Sequence, residues 1–219
     1  MNKRHVHVTG GSGKTGQAVV RHLLEQGFEV TNLDRAMPGQ PLARTRVVDL
    51  TDFGQTVDAL AGADAVVHLA AIPNDSIHPP ERTFRENVAS TFNVFHAAQI
   101  RGIRDVVWAS SETVLGLPFA RVKPSTAPID EGHAPFPEST YSLSKVVGEQ
   151  MADQYARWHG MRFIGLRFSN VMTPSDYARF AGWQDEPRLR KWNLWGYVDA
   201  RDCAQACRLE RSRERRRIP

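Results

Sequence analysis

Tyr141 and Lys145 stand four residues apart in the stretch STYSLSK, a spacing that on a helix puts a phenol and an ammonium on one face. A free phenol titrates at about pH 10 and is a poor base at neutrality, but a neighbouring cation favours the phenolate. Such a tyrosine can take the proton of a substrate hydroxyl while hydride leaves the same carbon for a nicotinamide. Taken alone, the pair is also what an ordinary amphipathic surface helix carries. It gains weight only beside a second, independent signal.

That signal lies near the N-terminus, in HVTGGSGKTGQ. The letters GSGKT suggest a nucleotide-hydrolysing P-loop, whose pattern G-x-x-x-x-G-K-[ST] needs a glycine ahead of the one before the lysine. Counting back from Gly13, Lys14 and Thr15, that position is Val8. No later apolar run ends in the Asp that would hold Mg²⁺ either: AVVHLAA ends in Ala and DVVWASS in Ser. The frame Gly10, Gly13, Gly16 between a strand and a helix fits a dinucleotide loop instead. There glycine permits the tight turn, the close approach of backbone to pyrophosphate and the packing of helix on strand. Asp34 follows eighteen residues after Gly16, near the ~20-residue offset at which a carboxylate holds the adenosine ribose and repels a 2′-phosphate. NAD is therefore the expected cofactor. Lys14 and Arg35 keep NADP in play, because either cation would pair with a 2′-phosphate.

The elements that must position these residues follow from the hydrophobic pattern. HVHVT reads as a strand, TGQAVVRHLLEQG as a helix stopped by Gly27, FEVTNLD and TRVVDL as strands, and DFGQTVDALAG as a helix capped by Asp52. ADAVVHLAA, RDVVWASS and MRFIGLRFSN read as buried strands, separated by long helices over ERTFRENVASTFNVFHAAQIRG and STYSLSKVVGEQMADQYARWHG. Such alternation predicts an α/β fold, a Rossmann-type doubly wound parallel sheet with helices on both faces, over residues 1–170. From Val171 the text turns loop-like and rich in Trp and Arg, then YVDARDCAQACRLE resumes as a strand and a helix. Residues 171–219 are expected to form a small, shortened substrate-covering segment with an Arg-rich tail.

Composition agrees with one large domain. The chain has 219 residues, 41% hydrophobic and 24% charged, and no apolar run approaches the ~20 residues that cross a bilayer. Its start runs into a strand-like segment rather than the apolar core of a signal peptide, so the expected location is cytoplasmic, with no membrane partner. The last twelve residues, RLERSRERRRIP, carry six Arg and two Glu, which equals the whole chain's net charge of +4. The basic balance thus belongs to a solvated tail, not to a folded nucleic-acid-binding face. Cys203 and Cys207, at helical spacing with no His or Cys cluster nearby, read as small, partly buried thiols, and no metal site is expected.

Taken in order, the motifs TGGSGKTG, LD at Asp34, VDLTD, HLAA, ENVASTFNV, ASSETVLG, YSLSK, RFSNV and YVDARD resemble those of the extended short-chain dehydrogenase/reductases. The branch they resemble is that of the NAD-dependent epimerases and dehydratases, and the likeness covers about residues 4–204. It implies that Gly10, Gly13, Lys14, Thr15 and Gly16 meet the cofactor phosphates and that Asp34, Arg35, Asp49 and Leu50 surround the adenosine. It further implies that Leu69, Ala70, Ala71 and Asn87 line the cofactor, and that Lys145 binds the nicotinamide ribose beside Tyr141. The family's catalytic Ser or Thr falls on Ser111, with Ser110 structural, and Glu112 and Asn170 fall on the substrate side. A homodimer through the two long helices is a further implication.

Departures from the family pattern narrow the reaction. Dehydratases carry Asp-Glu directly after the catalytic Thr, whereas Ser111 is followed by Glu112 and Thr113. Only 26 residues separate Asn170 from Tyr197, scant room for a clamp on a nucleotide sugar. The chain is more similar to members that oxidise free sugars or sugar acids, and Arg188, Arg190 and Lys191 are candidates to pair with a substrate carboxylate, though a solvated basic loop is the more ordinary setting for any one of them. The expected activity is NAD(P)-dependent oxidation or reduction of a small sugar-like substrate through Ser111, Tyr141 and Lys145. Two alternatives stay open: a UDP-sugar 4-epimerase, and a truncated, non-catalytic NAD-binding protein, since the text reaches its Arg-rich tail soon after YVDARD.

Overall fold

The computed structural model describes residues 3–183, Glu186, Arg188 and residues 196–208. Strands β1 (His5–Thr9), β2 (Glu29–Asp34), β3 (Arg44–Val47), β4 (Ala65–His68), β5 (Asp105–Ser111) and β6 (Arg162–Phe168) form one sheet in the order β3-β2-β1-β4-β5-β6, every neighbouring pair parallel. This is the doubly wound order whose strand sequence reverses between β1 and β4, and the crevice outside the carboxyl ends of those two strands is where such sheets bind ligands.

The helices are α1 (Lys14–Glu25), α2 (Phe53–Ala59), α3 (Pro80–Ile100) and α4 (Thr140–His159). Because side chains alternate along a strand, each central strand feeds two cores. Val66, Val106 and Trp108 pack with Val94 and Phe95 of α3 and with Ala152 and Tyr155 of α4. Val6, Val8, Val67 and Val107 point the other way, toward Val19, Val20 and Leu23 of α1. Val8, where a P-loop would need glycine, is therefore a fully buried core residue.

Local chemistry sets the helix ends as the sequence implies. Asp52 caps α2 by accepting from the Gln55 N–H at 2.9 Å. Ser139 and Ser142 form a reciprocal capping box at the start of α4, and Gly160 ends it in the left-handed region at φ 63°.

After β6 the structure departs from the expected loop. Asn170–Met172 forms β7 and pairs in parallel with β8 (Tyr197–Asp199). Thr173 and Asp176 close a capping box around the short helix α5 (Pro174–Tyr177). The periodicity was too brief to read, because a three-residue strand offers at most one alternation. The last described helix, α6 (Ala200–Ala206), is capped by Asp199 and returns to α1, where Ala204 and Cys207 complete the second core. Both thiols are buried, which pushes each up to about 12. Among the described residues, no helix is long and apolar enough to cross a membrane, and no group of His, Cys, Asp and Glu is arranged to hold a metal ion.

Candidate active site

A cleft of about 930 Å³ opens at the carboxyl ends of the strands, running from the β1–α1 loop to the ends of β5 and β6. Its first end is made of backbone. Gly10 sits at φ +71°, where a side chain is strained, and a Cβ there would lie 2.7 Å from the Ala70 nitrogen. At Gly16 a Cβ would come within 2.1 Å of the Gly10 carbonyl oxygen, so helix and loop touch through bare backbone. Gly13 differs: its added Cβ would meet only that same oxygen, at 3.4 Å. It is the N-cap of α1 and brings no capping side chain, which leaves the first-turn N–H groups to an anion supplied from the cleft. Beside them Asp34 accepts from the Ser12 N–H at 2.9 Å and borders the cleft with its carboxylate. This donor set fits a dinucleotide: N–H groups for pyrophosphate and a carboxylate for ribose hydroxyls.

The wall between the two ends is held from beneath. The Thr9 hydroxyl accepts from the Ala70 N–H at 3.3 Å and pairs with His68 Nδ1 at 2.7 Å, while His68 Nε2 faces the Thr91 hydroxyl at 3.3 Å. Burial, reinforced by the Lys145 charge, drops His68 to about 3 and keeps it neutral. Asn87, expected to contact the cofactor, borders the cleft and also ties its wall together. Its oxygen accepts from the Ile72 N–H at 2.8 Å and its nitrogen donates to the Ile72 carbonyl at 3.0 Å.

The far end is made of side chains. Ser111 closes β5, and its oxygen accepts from the Thr113 N–H at 3.2 Å and the Thr113 hydroxyl at 2.9 Å. Tyr141 lies in the first turn of α4 and Lys145 one turn later, with the ammonium 5.7 Å from the phenol ring centroid. Lys145 donates to the Ala109 carbonyl at 2.7 Å, and burial lowers it to about 8. Burial raises the Tyr141 phenol above its ordinary value, the Ser111 hydrogen bond opposes this, and the Asp75 charge raises it further. Glu112 joins the same wall, its carboxyl raised by burial.

Most of the expected site residues meet around this cleft. Gly10, Gly13, Lys14, Thr15, Gly16, Asp34 and Arg35 border it at one end, and Leu50, Leu69, Ala70, Ala71 and Asn87 along the wall. Ser111, Glu112, Tyr141, Lys145 and Asn170 border the other end. Asp49 is not among the bordering residues. Its carboxylate turns to the Thr51 N–H and hydroxyl at 2.9 and 2.8 Å and to Arg35. Arg190 and Lys191 lie outside the described residues. The two cations expected to bind phosphate are engaged within the chain: Lys14 pairs with Asp176 at 2.9 Å, and Arg35 with Glu86 at 3.0 Å.

Sequence reasoning missed Asp75. One of its oxygens accepts from both the Thr140 hydroxyl and the Tyr141 N–H, each at 2.8 Å, so a loop after β4 fastens the first turn of α4 across the cleft. Only the turn-forming text PNDS hinted at it, and nothing there says which distant helix the turn will meet.

The NAD dependent epimerase/dehydratase family model matches residues 6–189. Over 93% of its length the chain is 27% identical to an L-arabinose 1-dehydrogenase (NAD(P)(+)) of Haloferax volcanii, spanning 80% of that protein. Over 80% of its length it is 29% identical to a uronate dehydrogenase of Pseudomonas putida, spanning 65% of it. It spans only about half the length of several other curated relatives. A crystal structure of a UDP-galactose 4-epimerase superposes with TM-score 0.75 at 32% identity, over 93% of this chain and 70% of that one.

Proposed function

The chain belongs to the NAD-dependent epimerase/dehydratase family, and from that premise we propose that it is an oxidoreductase acting on a hydroxyl-bearing carbon of a sugar or sugar acid. The observation that carries this reading is the meeting of Ser111, Tyr141 and Lys145 at one end of a cleft whose other end suits a dinucleotide. NAD, when bound, supplies the acceptor for the hydride. Gly10, Gly13 and the first turn of α1 hold its phosphates, and Asp34 its ribose.

The chain's own residues manage the proton. Ser111 holds the reacting oxygen by hydrogen bonding. Tyr141 takes the hydroxyl proton, a task its burial opposes until positive charge gathers beside the phenol. Lys145 is the protein's source of that charge. Its value of about 8 means that the ammonium is present below that pH and lost above it. Glu112 and Asn170, on the same wall, present hydrogen-bonding groups to a polyhydroxylated substrate.

UDP-sugar 4-epimerisation is the second reading, supported by the match to the UDP-galactose 4-epimerase structure. The dehydrogenase is favoured because only 26 residues link Asn170 to Tyr197, and because the arabinose relative is spanned over most of its length. Incubating the protein with NAD and a panel of aldoses and uronic acids tests the choice. Net NADH formation is expected. Interconversion of UDP-glucose and UDP-galactose without net NADH would replace this reading with the epimerase.

A further inference from the structure

We propose that Glu86 makes the cleft selective for NAD by holding the Arg35 guanidinium, the cation beside Asp34 that would otherwise pair with the 2′-phosphate of NADP. The inference rests on the reading of this end of the cleft as the adenosine site. An arginine near the end of the second strand is the usual means of accommodating a 2′-phosphate in this kind of fold, and Arg35 occupies such a place, directly after Asp34 at the end of β2. Its charge is already committed. One terminal nitrogen donates to Glu86 Oε2 at 3.0 Å and the other to Asp49 Oδ1 at 3.3 Å.

The two carboxylates are not equal partners. Asp49 is about half exposed, and solvent screens a pair of that kind. The Glu86 side chain is only 12% exposed, and its other oxygen accepts from Arg82 Nε at 2.7 Å. Burial works against its charge, but the hydrogen bonds from Arg82 and Arg35 prevail and hold the carboxyl below the usual carboxylate range. Glu86 is thus a fixed anion on α3 that keeps Arg35 turned across the mouth of the cleft.

A 2′-phosphate adds up to about two negative charges beside Asp34, and needs an uncommitted cation to meet it. Among the described residues, the other cations bordering the cleft are Lys14, held by Asp176 at 2.9 Å, and Lys145, held by the Ala109 carbonyl at 2.7 Å. None of the three is spare.

Calorimetric titration of the full chain with NAD and with NADP tests the assignment without reference to turnover. Glu86→Gln keeps the shape and an acceptor for Arg82 but releases Arg35. It should tighten NADP about tenfold, the scale of one charge-assisted hydrogen bond, and leave NAD within about twofold. Adding Arg35→Met to that variant should cancel the gain. A folded Glu86→Gln that binds NAD but gains nothing for NADP overturns the proposal alone, whereas a wild-type chain that binds neither dinucleotide overturns it together with the adenosine-site reading. If Glu86→Gln does not fold, Arg35→Met in the wild-type background decides: little change in NADP affinity supports a committed Arg35, and a tenfold loss overturns it.

Discussion

The two ends of the cleft are built from different materials. At the phosphate-loop end, Gly10, Gly13 and Gly16 present backbone, and what matters is the absence of a side chain. At the other end, Ser111 presents a hydroxyl, and Tyr141, Lys145 and Glu112 present titratable groups whose protonation depends on burial and, for Tyr141 and Glu112, on neighbours. At Gly10 and Gly16 sterics leave no room for an added Cβ, whereas at Gly13 there is room within the protein.

The largest expected effect follows from that contrast. Gly16→Ala forces a methyl to 2.1 Å from the Gly10 oxygen, so it should cost about 3 kcal/mol or more of stability and abolish NAD binding, read by denaturant unfolding and calorimetry. Gly13→Ala divides the two functions of the loop. Its Cβ finds 3.4 Å of room within the protein, so the variant should unfold within about 1 kcal/mol of wild type. NAD affinity should nevertheless fall at least tenfold, because the lost space is what lets a pyrophosphate approach the backbone. Equal losses in both variants would erase the distinction between packing glycines and ligand-facing ones.

At the catalytic end the matching test is Asp75→Asn. The amide oxygen can still accept from the Thr140 hydroxyl and the Tyr141 N–H, so the first turn of α4 stays fastened. Only the negative charge beside the phenol is gone. Since that charge raises Tyr141, the limb of the turnover profile that rises with pH should move to lower pH, with NAD affinity unchanged. An unmoved profile would leave Asp75 a purely structural anchor.

How far the sequence could be read tracks the same division. Glycine spacing and an acidic residue at the right offset locate the backbone-built end, because each rests on local geometry that a short stretch encodes. Residue types at the other end were legible too, from Y-x-x-x-K and a family resemblance. Their electrostatics were not: Lys145 turns to Ala109, and Tyr141 responds to burial, to the Ser111 hydrogen bond and to Asp75, which lies 66 positions earlier. Asn87 was legible from its motif as part of the cleft wall, but the tie of its amide to both backbone groups of Ile72 was not. The six parallel strands were visible as apolar runs. The pairing of Asn170–Met172 with Tyr197–Asp199 was not, since its two strands are short and far apart.

A further effect concerns the pH dependence of stability. His68 is held at about 3 and His7 at about 4, in both cases mainly by burial. Each folded value lies below the unfolded value of 6.5, so the unfolded chain binds protons that the folded one refuses. Stability is full above pH 6.5 and should decline progressively as pH falls from there to about 4, continuing toward about 3 for His68. A urea midpoint that stays level across pH 6.5 to 4 would contradict the placement of these rings.

The central claim is that one end of the cleft binds NAD and the other moves the substrate proton through Tyr141. Tyr141→Phe tests it most directly, by calorimetric NAD binding alongside NADH formation from whichever sugar the panel identifies. NAD affinity should stay within about threefold while turnover falls about a thousandfold, the scale of a lost general base. A Tyr141→Phe protein that still reduces NAD at the wild-type rate would contradict the account.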